Sequence, residues 1–65
     1  MRVKMLLTVR VLGTEIQLQK DEICEADWAT NQPDYEEKGL VFVRDSVRQE
    51  DVLCMLDDEC VLIEE

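Results

Sequence analysis

Three thiols and sixteen carboxylates are the groups in this 65-residue chain that could hold a metal or do redox or acid–base chemistry; there is no histidine. The densest concentration is the stretch "DVLCMLDDECVLIEE", with Cys54 and Cys60 flanking Asp57, Asp58 and Glu59. A structural zinc site takes four Cys or His ligands, usually in closely spaced pairs. Cys24, Cys54 and Cys60 supply three soft ligands at most, and the nearest two are separated by five residues. The run "DDE" also lacks the alternating acids and glycine of a calcium loop. A reactive thiol needs nearby positive charge or a helix N-terminus to lower its pKa. Cys24 lies between Ile23 and Glu25, and Cys60 follows three acids, so these thiols are expected to be unreactive and to pack as small buried hydrophobes.

Catalysis is disfavoured on similar grounds. Without histidine no Ser-His or Cys-His pair can form. An acid–base pair of carboxylates needs one of them in an apolar pocket, and so short a chain has little room for one. No glycine-rich phosphate loop is present. The expectation is a non-enzymatic protein with no cofactor and no metal.

The remaining lead is charge together with two aromatic residues. The formal net charge is −9, beyond the magnitude of about 2–8 that solubility asks of a small domain. Self-repulsion at that density costs stability. Direct binding to nucleic acid or to an anionic membrane is disfavoured, whereas a basic protein surface would be attracted. The single Trp and single Tyr, Trp28 and Tyr35, lie among Glu25, Asp27, Asp34, Glu36 and Glu37. Both residue types are enriched at binding hot spots, and flanking acids steer a basic partner onto them. The candidate partner-binding residues are therefore these seven together with Asp57, Asp58 and Glu59. The partner expected is a basic protein surface, including one that otherwise binds DNA or RNA and would be blocked by mimicry. The plainer reading of Trp28 is a plug for one end of a small barrel. The alternative function is a structural subunit that assembles into a homo-oligomer through strand edges.

Whatever these residues do, the elements that carry them must be small and β-rich. A chain of 65 residues makes one domain, with a thin stability margin. Val3, Met5, Leu7, Val9 and Val11 alternate with Arg2, Lys4, Leu6, Thr8 and Arg10, the period of a half-buried strand. With Gly13-Thr14 as a two-residue turn, Val9 faces Leu18 and Arg10 faces Gln17, which defines an N-terminal hairpin over 2–20. Arg2, Lys4 and Arg10 would protect its edge. Ile23 and Trp28 can anchor a short helical turn over 21–29 inside a long acidic loop reaching Gly39. "LVFVR" (40–44) is a strand.

The C-terminal stretch allows two forms. As a hairpin over 51–64, two strands flank a turn at Asp57–Glu59. As a helix over 46–57, Ser46 and Gln49 make a capping box. The hairpin is preferred, because a helix would gather carboxylates at its C-terminal end. The fold class expected is mainly β: a small antiparallel sheet or barrel of four to five strands, with α+β as the alternative. An odd cysteine count argues against a disulfide framework and for a reducing, cytoplasmic location. The opening run has leader-like apolarity, but Arg10 interrupts it and no small-residue cleavage site follows.

Overall fold

A computed structural model describes all 65 residues. The chain forms seven strands and one short helix: β1 (Arg2–Met5), β2 (Val9–Arg10), β3 (Gln17–Leu18), β4 (Ile23–Trp28), α1 (Tyr35–Lys38), β5 (Leu40–Arg44), β6 (Asp51–Met55) and β7 (Cys60–Glu64). Five strands make one antiparallel sheet in the order β6-β5-β4-β1-β7, and β2 and β3 make a separate pair. The protein is mainly β, as its alternating apolar pattern implies.

The sheet is curled. Laid flat, five strands spaced by about 4.8 Å would hold β6 roughly 19 Å from β7. Only Leu56–Glu59 connects those two strands, and the connection is a turn: Asp57 has φ 73° and its N–H donates to the Cys60 carbonyl at 2.7 Å. The two ends of the strand order must therefore come round toward each other. β4 makes this possible by serving two neighbours in succession. Ile23–Glu25 pair with β1, and Ala26–Trp28 pair with β5.

The inward positions are Val3 and Met5 of β1, Leu18 of β3, Cys24 and Ala26 of β4, Val41 and Val43 of β5, Val52 and Cys54 of β6, and Cys60 of β7, with Ile16 beside them. This aliphatic and thiol core follows the period-two rule strand by strand. All three cysteines are buried and free. The one buried charged residue, Asp45, is satisfied by the Arg48 backbone N–H, which donates to its carboxylate at 2.6 Å and shapes the β5–β6 loop.

Several expectations need correction. The register Val9↔Leu18 and Arg10↔Gln17 is as the alternation requires. However, the N-terminal run is not one hairpin arm. It breaks at Leu6–Leu7, and β1 pairs with β4 and β7 instead of β3. β1 is therefore an interior strand, and its Arg2 and Lys4 guard no edge; they pair with Glu64 and Asp21. The reversal closes one residue earlier than expected, where Thr14 N–H donates to the Val11 carbonyl with Gly13 at φ 80°. The segment expected as a helical turn over 21–29 is strand β4. The helix weighed over 46–57 is absent as well: Gln49 is left-handed (φ 59°) and β6 begins two residues later. β6 and β7 are the expected strands around the expected turn, but they do not pair as a hairpin. β6 bonds to β5 and β7 bonds to β1.

Gly39 joins α1 to β5 in a left-handed conformation (φ 68°), and a Cβ there would meet the Leu56 Cβ at 3.2 Å. Its carbonyl accepts the Leu56 N–H at 2.8 Å, so both elements are held close. Gly13 is equally left-handed, but a Cβ there meets open space. Substitution by alanine should cost about 1 kcal/mol at Gly13 and about 2 kcal/mol or more at Gly39, from the left-handed strain plus, at Gly39, the contact. Urea unfolding of the two variants measures the difference; equal losses would mean that the Leu56 contact carries nothing.

Candidate functional site

The strand and loop that bear the two aromatic residues bring them together. Trp28 is the last residue of β4 and Tyr35 the first of α1. Their ring centroids are 6.0 Å apart with the planes tilted by 53°, within the range of favourable aromatic pairs. By strand alternation Trp28 would point inward after Cys24 and Ala26, but β4 ends there. The ring stays 38% exposed, while Ala29 behind it is fully buried. Trp28 is thus a surface residue, and it is not among the side chains packed on the core.

Carboxylates lie on both sides of this pair. Asp27 and Glu65 share a groove of about 270 Å³ with Trp28 and Met1. Asp34, Glu36 and Glu37 line a second surface groove with Tyr35. The Tyr35 hydroxyl pKa is raised by a hydrogen bond to the Glu36 carboxylate and by its negative charge, so it remains a neutral donor. Met1 and Glu65 were not singled out from the sequence; only the pairing of β1 with β4 and β7 places the two chain ends beside Trp28.

The other candidate acids lie elsewhere. Glu25 stands on the outer face of the sheet in a cross-strand row of alternating charge. Arg2 lies opposite it on β1, Glu64 opposite Arg2 on β7, and Arg44 of β5 lies opposite Asp51 of β6. Glu25 also raises the pKa of Arg2, by the smallest of the effects acting there, and forms no ion pair of its own. Asp57, Asp58 and Glu59 form the turn after β6 and line neither aromatic groove. Glu59 has an internal task there: its carboxylate accepts the Met55 N–H at 3.0 Å, and its carbonyl accepts the Leu6 N–H at 2.9 Å.

Part of the acidity is turn chemistry. Asp21, Asp34 and Asp57 all have positive φ, between 58° and 73°, a region that Asp tolerates better than most residues. The rest is not neutralised. Four ion pairs engage Glu15, Asp21, Asp51 and Glu64, which leaves twelve of the sixteen carboxylates without a basic partner. All eight carboxylates named from the sequence are among the twelve.

The thiols carry no activated chemistry. Burial, followed by Glu22, pushes Cys24 up to about 11; burial, followed by Glu59, pushes Cys54 to about 12 and Cys60 to about 11. No three Cys, Asp or Glu side chains converge as a metal site. No helix is long and apolar enough to cross a membrane. No protein-family model, curated protein or solved structure matches the chain.

Proposed function

We propose that the protein is a non-enzymatic, acidic binding module that docks a basic surface of a partner protein, with Trp28 and Tyr35 as its contact centre. One observation carries the reading: a paired, partly exposed Trp and Tyr lie between two groups of carboxylates that have no ion-pair partner. Aromatic residues with low conformational entropy provide contact area. Exposed like charges around them raise the encounter rate with a cationic surface and suppress anionic competitors. Within this reading, a partner whose basic surface otherwise holds DNA or RNA would be blocked, since the carboxylates compete for the same cations.

The test is the salt dependence of binding to the partner retained at low salt from a native lysate. Affinity should fall about tenfold or more between roughly 50 and 300 mM salt, because exposed charges are screened over about 10 Å at 0.1 M. A variant with Asp27, Asp34, Glu36 and Glu37 as amides should weaken binding and flatten the slope. Neutralising Asp57 and Asp58 should have less effect, since they lie away from the aromatic pair. Affinity unchanged to about 500 mM salt would refute charge-driven docking.

A second reading is favoured by the strand edges. β6 pairs only with β5 and β7 only with β1. Leu53 and Ile63 on these strands are 43% and 48% exposed. An assembly subunit that pairs copies through these edges would form a concentration-dependent oligomer, which sedimentation detects.

A further inference from the structure

We propose that the groove lined by Met1, Asp27, Trp28 and Glu65 takes the guanidinium of an arginine side chain from the partner's basic segment. This rests on the docking reading above and names the chemistry of its central contact.

The argument begins with the lining. Trp presents the most electron-rich face of any side chain and attracts a cation within about 6 Å of its centroid. Trp28 borders this groove, and two of the other three lining residues are carboxylates. Neither Asp27 nor Glu65 has an ion-pair partner. Met1, which also lines the groove, carries the terminal ammonium, and this donates to the Ala26 carbonyl at 3.2 Å and forms no ion pair with Asp27 or Glu65. The groove thus combines an aromatic side chain with two carboxylates that have no ion-pair partner, against the single ammonium of Met1, a surround complementary to a further cation.

The kind of cation follows from the geometry. A quaternary ammonium, which donates no hydrogen bonds, is held best by aromatic faces on several sides. Here Trp28 is the one aromatic residue lining the groove; Tyr35 packs against Trp28 and lines a different one. A lysine ammonium is compact and strongly hydrated, and it gains little from one flat wall. A guanidinium is planar and weakly hydrated. It can lie along the indole and still direct its N–H donors in its own plane toward carboxylates at the rim. Met1 supplies an adaptable apolar contact for the aliphatic stem. Tyr35 has a positioning role, because its tilted packing holds the indole ring in place.

The experiment uses two probes of equal charge, hexa-arginine and hexalysine peptides, titrated at low salt and followed by calorimetry and by the emission of the chain's single tryptophan. Hexa-arginine should bind about threefold to fivefold more tightly than hexalysine, the range of one exposed cation–π contact, and should shift Trp28 emission. In Trp28→Leu that preference should vanish while hexalysine affinity stays within about twofold. Asp27→Asn, at an exposed strand position that leaves the core intact, should lower hexa-arginine affinity more than hexalysine affinity. Equal affinities with unchanged emission would overturn the arginine site and leave acidic docking standing. Failure of both peptides to bind would overturn the site and the docking reading together.

Discussion

Leu18→Ala is expected to destabilise the fold by about 3 kcal/mol, within the 2–5 kcal/mol range for deleting a buried leucine's methyl groups. Leu18 is fully buried although it belongs to a strand of only two residues. The β2–β3 pair has two registered residue pairs of its own, so the hairpin is held mainly through what it inserts into the core. Leu18, Ile16, Val9 and Val11 make that contact. A core in a domain this small supplies about 3–5 kcal/mol in total. The substitution should therefore leave a substantial unfolded population near 37 °C. Leu12→Ala, four residues upstream of Ile16 in the same hairpin and 94% exposed, should stay within about 0.5 kcal/mol of the parent. Urea unfolding compares the two. A loss under about 1 kcal/mol for Leu18→Ala would show that the hairpin folds as an appendage rather than as part of the core.

The second large effect should come from alkali. The thiols ordinarily ionise near 9.0, and in the folded protein they are held at about 11, 12 and 11 for Cys24, Cys54 and Cys60, chiefly by burial. The folded state thus keeps protons that the unfolded chain releases. An acid whose folded pKa is raised contributes stability that is complete below its unfolded pKa and is lost as pH rises toward its folded pKa. Stability should therefore be flat with respect to these groups below about pH 9 and fall from there to about pH 11 for Cys24 and Cys60 and about pH 12 for Cys54. With three protons released on unfolding, the slope reaches about 4 kcal/mol per pH unit, from about 1.36 kcal/mol per group. A domain with a margin of about 3–5 kcal/mol should then unfold cooperatively within that window. Thiolate absorbance should rise together with the loss of near-ultraviolet dichroism. Thiolate appearing near pH 9 while the fold persists would contradict the burial of these groups.

The ion pairs are expected to contribute less. Arg2–Glu64, Lys4–Asp21, Arg44–Asp51 and Arg48–Glu15 are all formed by side chains at least 46% exposed, and exposed pairs contribute about 0–1 kcal/mol each. Their more important effect is on charge distribution. They offset charge on the outer face of the sheet and at both ends of the β2–β3 hairpin, and eight of the twelve unpaired carboxylates lie around Trp28, Tyr35 and the Asp57–Glu59 turn.

Much of this structure can be read locally. The pattern of Val9, Val11, Ile16 and Leu18 defines one apolar face, and a slip of one residue would invert it; the β2–β3 register follows from that alone. Leu40–Arg44 is recognisable from β-branched and aromatic content. Asp57–Glu59 reads as a turn because Asp tolerates left-handed backbone, and Asp57 adopts it. The thiols read as buried because nothing nearby would ionise them. β4 was obscured by Ile23, a β-branched apolar residue that is 56% exposed and hides the alternation of Cys24 and Ala26 with Glu25 and Asp27. The break between β1 and β2 was hidden by Leu6 and Leu7, which extend the apolar run through a bend.

The aromatic site was legible in part. Trp28, Tyr35 and their neighbouring acids are close in sequence, so their association needed only a short loop. The contribution of Met1 and Glu65, and the separation of Asp57–Glu59 from the aromatic pair, depend on contacts between residues tens of positions apart. Side-chain period and backbone preference act over a few residues, and for this chain they identified the strands at 40–44, 51–55 and 60–64, the apolar face of the β2–β3 pair and the turn at Asp57–Glu59, but not β4 or the break between β1 and β2. Which strand pairs with which is a different quantity. β1 could satisfy its backbone against any neighbour of matching pattern, and only the packing of the whole apolar set into one closed core selected β4 and β7. That selection is a property of the tertiary structure, and it is what brings the two chain ends to the tryptophan.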